Sequence, residues 1–174
     1  MQAALMESED VDRDRLSPEK LAAANINPTT RLATDYLNHY NNAVMLLDIL
    51  PAMPECAAEI EAWQPIAYED YFSHSHFRER DLAISAYRRA DPAVRRAFDA
   101  AVSELDTAML ETRHLVLSGD PADPVMAAEL HRQQREYLQP LIARTSAIVN
   151  GAGALREADL DVDAAQNSVD QLFP

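Results

Sequence analysis

Residues 91–119, DPAVRRAFDAAVSELDTAMLETRHLVLSG, decide the fold class. Asp91-Pro92 is a strong helix start. The aspartate side chain can accept from the first free backbone N–H groups, and proline fits the first turn because its missing N–H would go unused there. From this start Val94, Phe98, Ala101, Leu105, Met109, Thr112 and Val116 recur at helical spacing. They form one apolar stripe on a helix of about seven turns. Gly119 is placed to end it as a C-terminal cap.

The same reading extends outward in both directions. The three glycines of the chain are Gly119, Gly151 and Gly153. The long glycine-free stretch before them suits helices, and alternation of period two is nearly absent. A first long helix is predicted over 28–50, with the stripe Ala33, Leu37, Tyr40, Val44 and Leu47, stopped by Pro51. A shorter helix should follow Pro54 and carry Cys56, Ile60 and Trp63. Another should begin near His76 and Phe77 and pack Leu82, Ile84 and Tyr87. After the turn DPADP, Pro124 opens the last bundle helix, with the stripe Met126, Leu130, Tyr137, Leu141 and Ile148. Pro140 falls inside it and is expected to kink it, because it removes one backbone bond and crowds the carbonyl of Glu136. Gly151 ends it. Before all of these, Ser17-Pro18 could cap one short helix.

The chain therefore reads as all-α, a helical bundle of about four to five helices over 29–150. Residues 1–28 read as an acidic, mostly disordered tail, 151–163 as an acidic linker, and 164–174 as a closing helix that Asp163 could cap.

The formal charge is −14, from 15 basic and 29 acidic residues. Phosphate contacts need clustered Lys and Arg, so nucleic-acid binding is disfavoured. An anionic membrane surface is disfavoured for the same reason. No run of 18 apolar residues is present, and the start MQAALMESEDVDRDR does not read as a secretory signal. A cytoplasmic protein is expected. The single cysteine, Cys56, allows no intrachain disulfide and no zinc spacing.

Four groups of residues could carry chemistry. Glu111 and His114 have the ExxH spacing of ferritin-like di-iron bundles. The helical wheel puts them roughly 140–180° from the apolar stripe, however, and no second ExxH exists. They are expected to face solvent and bind no metal. Cys56 stands near a helix start, where a thiolate would be stabilised, but it shares a stripe with Ile60 and reads as a buried structural thiol. Asp35, Asn38 and Asn42 share a polar face of the first long helix. That is either a plain solvated face or an acid and amide able to hold a water beside a phosphoryl group. Gln134 interrupts the stripe of the last helix. It either bonds another helix or offers its amide to a reacting water.

The closing stretch is AAQNSVDQLFP, residues 164–174. Val169, Leu172 and Phe173 lie i, i+3 and i+4, with Ala165 one turn back. Gln166, Val169, Asp170, Leu172 and Phe173 resemble a short docking peptide of bacterial chemotaxis. The flagellar switch protein carries such a peptide at its N-terminus, and the chemotaxis phosphatase family (CheZ) carries one at its C-terminus. Both dock on a response-regulator receiver domain. The mode is a helix laid in a groove, with apolar anchors and an acid facing basic groups.

The resemblance covers about ten residues, and the phosphatase family's catalytic segment has no counterpart in 120–145. It implies a cytoplasmic signalling regulator that binds a phospho-receiver domain, with dephosphorylation as its potential activity. A water aligned by Asn38 or Gln134 would then attack the aspartyl phosphate, with Asp35 nearby. The receiver would supply the Mg²⁺; the chain itself needs no cofactor. Two other classes compete: a metal-binding ferritin- or hemerythrin-like bundle, and a structural helical protein whose tail folds onto its own bundle or joins a homodimer.

Overall fold

The computed structural model describes residues 16–152. Over these residues the protein is all-α. Its helices are α1 (Pro18–Ala23), α2 (Asn38–Ile49), α3 (Ala57–Ala62), α4 (Tyr68–His74), α5 (Arg80–Arg88), α6 (Pro92–Leu117), α7 (Pro124–Gln133) and α8 (Gln139–Val149). A 3₁₀ turn, Thr34–Leu37, leads into α2, and another, Pro54–Cys56, leads into α3. A π-turn, Gln134–Leu138, joins α7 to α8.

The stripe of α6 is as the sequence indicates. Phe98, Ala101, Leu105, Met109, Thr112 and Val116 are buried, and Val94 is half-buried. Asp91 caps the helix by accepting from the Ala93 N–H at 2.7 Å. Asp123 does the same for α7, accepting from Val125 and Met126. The side chain of Ser17 accepts from Lys20 at the start of α1.

Three rods make the core. The ring of Tyr36 packs on Phe98 at 5.6 Å, and the Tyr40 hydroxyl reaches Asp106 at 2.7 Å. The order of these pairs makes α2 and α6 run parallel. The α7–α8 rod returns antiparallel, with Gln134 bonded to Val44 and Val149 to Thr30. Helices α4 and α5 close the end of the bundle where Tyr36 lies, through Tyr68, Phe72 and Tyr87.

Four expectations are corrected. The first long helix begins at Asn38, and residues 28–33 before it are not helical. Asn27 Oδ1 accepts from the N–H groups of Thr29 and Thr30, and Arg31 takes a positive φ of 60°. A side chain that bonds its own neighbouring backbone offers the chain an alternative to the helix. The loop is then fastened by the antiparallel bridge Ile26–Ala33.

The folded body begins earlier than residue 29. Leu16, Leu21, Ala24 and Ile26 are core residues. Within 16–28 the larger apolar side chains, Leu16, Leu21 and Ile26, are buried, while Ala22 and Ala23 stay exposed.

The segment 66–90 holds two helices, not one. Helix α4 was hidden because YEDYFSH mixes acids and aromatics without a stripe; Tyr68 and Phe72 bury one face, spaced i, i+4.

The stripe of the last rod slips by one residue. Leu138 is buried and Tyr137 is 46% exposed. The Gln139 N–H bonds the carbonyl of Gln134, five residues back, which adds one residue to that turn. Beyond it the inward set becomes Leu138, Thr145 and Val149. Pro140 sits at the second position of α8, so the lost backbone bond shows as a wide turn.

The glycines divide two roles. Gly151 takes a positive φ of 83° where α8 ends, a conformation glycine reaches without strain. Gly119 has no such φ, and a Cβ there would lie 2.6 Å from Met126 Cε. It allows α7 to turn back closely on the end of α6.

Candidate functional site

The 3₁₀ turn Thr34–Leu37 sorts its side chains sharply. Tyr36 and Leu37 enter the core, while Asp35 is half-buried and Asn38 exposed. Asn42 is exposed one turn on. The Tyr71 hydroxyl donates to the Asp35 carbonyl at 2.8 Å. The Asn38 amide lies near enough to that hydroxyl to lower its pKa, against the larger effect of burial. Tyr71 thus ties the backbone of the 3₁₀ turn to α4, and burial raises its own pKa above the usual value.

Beside this pair lies a polar cleft of about 310 Å³, lined by Asn25, Asn27, Thr34, Asp35 and Asn150 among others. Asn150 ends α8, so the C-terminal end of this helix stands at the rim of the cleft that Asp35 lines.

Gln134 is elsewhere and differently placed. It is 1% exposed, and its amide donates to the Val44 carbonyl at 2.8 Å. The interhelical bond accounts for it. Gln134→Ala should cost about 1–3 kcal/mol, since it opens space in the core and removes a buried bond. Urea unfolding checks this; a stability unchanged within error would show that the π-turn does not depend on Gln134.

Glu111 and His114 are both exposed on α6. Among the described residues, no group of three or more His, Cys, Asp or Glu is placed to hold a metal ion. Cys56 is half-buried, less enclosed than its stripe indicated. Gln166, Val169, Asp170, Leu172 and Phe173 lie outside the described residues.

Sequence reasoning missed a second set of polar groups, built on aromatic rings. The Tyr36 and Tyr40 hydroxyls lie 3.2 Å apart, Tyr36 donates to the Ile66 carbonyl at 2.8 Å, and Tyr40 donates to Asp106 at 2.7 Å. Burial pushes the Tyr36 pKa up to about 12 and raises that of Tyr40 further. Burial also raises the carboxyl of Asp106, against the opposing effect of its bond from Tyr40. One helical turn earlier and one more, Tyr87 donates to Asp99 at 2.7 Å. The only visible signal was that Asp99 and Asp106 are spaced i, i+7 beside the α6 stripe.

His39 stacks on Trp63 at 4.8 Å and its Nε2 meets the Gln64 carbonyl at 2.9 Å. Burial holds its pKa below the usual histidine value. The folded state therefore binds fewer protons than the unfolded one just below about pH 6.5. Its contribution is complete above that pH and is lost as pH falls through it towards the folded value. His39→Gln should flatten the fall of stability below about pH 6.5, read by urea unfolding at each pH. An unchanged slope would assign the acid sensitivity to other groups.

No protein-family model matches the chain, and no curated protein or solved structure is similar to it. What the coordinates define is a class: an all-α protein whose described helices include none long and apolar enough to cross a membrane.

Proposed function

We propose that this protein is a signalling regulator that captures a phospho-receiver domain with residues 166–173 and presents it to the Asp35–Asn38 face. One observation carries the reading: the end of α8, from which the sequence runs on to the closing peptide, lies at the cleft that Asp35 lines. Residues 153–165 separate that point from Gln166, and a chain of this length reaches at most about 45 Å. A receiver held by the closing peptide thus stays close to Asp35 and Asn38, at a raised effective concentration. The charge of −14 favours a partner with a basic face.

Asn38 is the group suited to act on the receiver. It is exposed, beside the Tyr71 hydroxyl that holds the turn through the Asp35 carbonyl. Bonded to a water, it would align that water with the aspartyl phosphate of the receiver, which supplies its own Mg²⁺. Gln134, committed to Val44, is left out of this scheme.

The test is to titrate the full chain with receiver domains in phosphorylated and unphosphorylated form, and to follow decay of the phosphoryl group. Binding should favour the phosphorylated form. Asn38→Ala should leave docking intact and slow the accelerated decay by more than about tenfold. Decay unaffected by the chain would remove catalysis and leave docking. Absence of binding to any receiver would end the proposal.

A further inference from the structure

Exposed apolar side chains standing singly on a surface need no explanation, and several here are of that kind. Leu110 and Leu117 have Arg113 and His114 between them on the same face of α6. Tyr137 lies under Arg132, whose guanidinium is 5.7 Å from its ring, and Val125 is a single side chain at the start of α7. The outer face of α2 differs. Asn38, Asn42, Met45 and Ile49 recur at helical spacing opposite the buried Tyr40, Ala43 and Leu47, and all four are exposed. Met53 continues the stripe past the helix end, where its N–H bonds the Ile49 carbonyl at 2.9 Å. Met45 is 65% exposed, Met53 44% and Ile49 41%, and none of the three packs against the core.

Charge sets this face apart further. Between Tyr36 and Pro54, Asp48 is the one residue among Asp, Glu, Lys and Arg, whereas these make up 25% of the whole chain. On the helical wheel Asp48 falls about 60–100° to one side of Met45 and Ile49. The stripe itself carries no formal charge.

We propose that a second copy of this chain docks on this face, the two α2 helices crossing antiparallel about a two-fold axis at Ile49.

The occupant follows from charge. Each copy carries −14, so two copies repel wherever their acidic surfaces meet. An uncharged stripe is where they can approach at least cost. A basic partner would find no charge to pair with there and would be drawn to the acidic faces instead. The composition agrees, because the centres of interfaces are depleted in charged residues and enriched in methionine.

The register follows from the order of the stripe. In a two-fold contact residue i meets j and j meets i. With the axis at Ile49, each Ile49 meets its own copy, and Met45 of one chain meets Met53 of the other, four positions away on either side. An axis nearer Asn42 would set Met45 and Ile49 against amides and strip those amides of water. Asn38, Asn41 and Asn42 are left as a polar rim. Asn38 stands about 16 Å from Ile49 along the helix, so this contact and the Asp35–Asn38 face are separate, and neither rests on the other. One helix face and a turn make a small interface, so the association is expected to be weak, in the micromolar range or above.

The experiment is sedimentation equilibrium of the full chain from about 5 to 500 µM. The mass should rise from monomer towards dimer over this range. Ile49→Glu and Ile49→Lys each set like charges against themselves across the axis, and each should raise the midpoint by about tenfold or more. Mixed in equal amounts, the two should pair and recover the association. Ile49 lies off the core, so both variants should keep the parent's melting temperature. Val125→Glu adds the same charge at another exposed apolar position and should leave the midpoint unchanged. A monomer at every concentration would overturn the assignment. If Ile49→Glu then weakened receiver binding, the face would belong to that partner; if Leu172→Ala with Phe173→Ala brought the dimer out, it would belong to the closing segment. A dimer that ignores Ile49→Glu, or a mixture that does not recover, overturns the assignment equally.

Discussion

Phe98→Ala should lower the unfolding free energy by about 3–5 kcal/mol, the range for deleting a buried aromatic ring. Phe98 is 1% exposed and touches Tyr36 and Tyr68 at 5.6 Å and Tyr87 at 6.4 Å between ring centroids. These three tyrosines belong to the 3₁₀ turn before α2, to α4 and to α5. One side chain of α6 therefore holds three other elements, and they cannot collapse together into the space it leaves. Tyr40 and Tyr36 would also lose the wall that fixes their hydroxyl chain to Asp106. The melting temperature should fall by roughly 10–20 °C. Val125→Ser, at a position 79% exposed, should stay within about 0.5 kcal/mol of the parent. Calorimetry of both variants decides. A loss below about 1 kcal/mol for Phe98→Ala would mean that α4 and α5 do not depend on this ring.

The long helices were legible because their signals are local. Asp91-Pro92 and Asp123-Pro124 start helices by capping, which needs no tertiary partner. The α6 stripe is long enough to leave one face possible. The failures had non-local or competing causes. Asn27 diverted the start of the first helix by bonding its own neighbours. The π-turn before Pro140 changed the register of the last rod, so Tyr137 and Leu138 exchanged roles. A wheel drawn at constant pitch cannot show an added residue.

The candidate sites were legible only in part. Asp35 and Asn38 were found by spacing, and they share one surface despite the shorter helix, because the 3₁₀ turn still carries both outward. Their partner Tyr71 comes from a helix that the pattern did not reveal. The tyrosine–aspartate bonds were invisible for the same reason. Of the tyrosines involved only Tyr40 and Tyr87 fell on a predicted stripe, and only the packing of α4 and α5 against α6 sets Tyr36, Tyr68 and Tyr87 beside Asp99 and Asp106.

Leu172→Ala with Phe173→Ala should reduce binding of a receiver domain by at least about a hundredfold and leave the melting temperature of the body unchanged. Both halves follow from where the apolar groups lie. Among the described residues the core runs from Leu16 to Val149, and no buried side-chain nitrogen or oxygen lacks a partner. On the docking proposal these contacts do not involve residues 164–174. Burial of a large apolar side chain in a groove is worth about 1.5–3 kcal/mol. Removing two anchors therefore costs at least about 3 kcal/mol, which is the hundredfold loss. Ordering some ten residues offsets much of the gain, so the isolated peptide should bind in the micromolar range or weaker. Asp170→Asn should weaken binding less, and its effect should shrink as salt rises, since it removes a charge facing basic groups. The measurement is a titration and a thermal melt on the same two preparations. If the melting temperature falls while receiver binding persists, Leu172 and Phe173 belong to the core of this chain, and the docking role has to be given up.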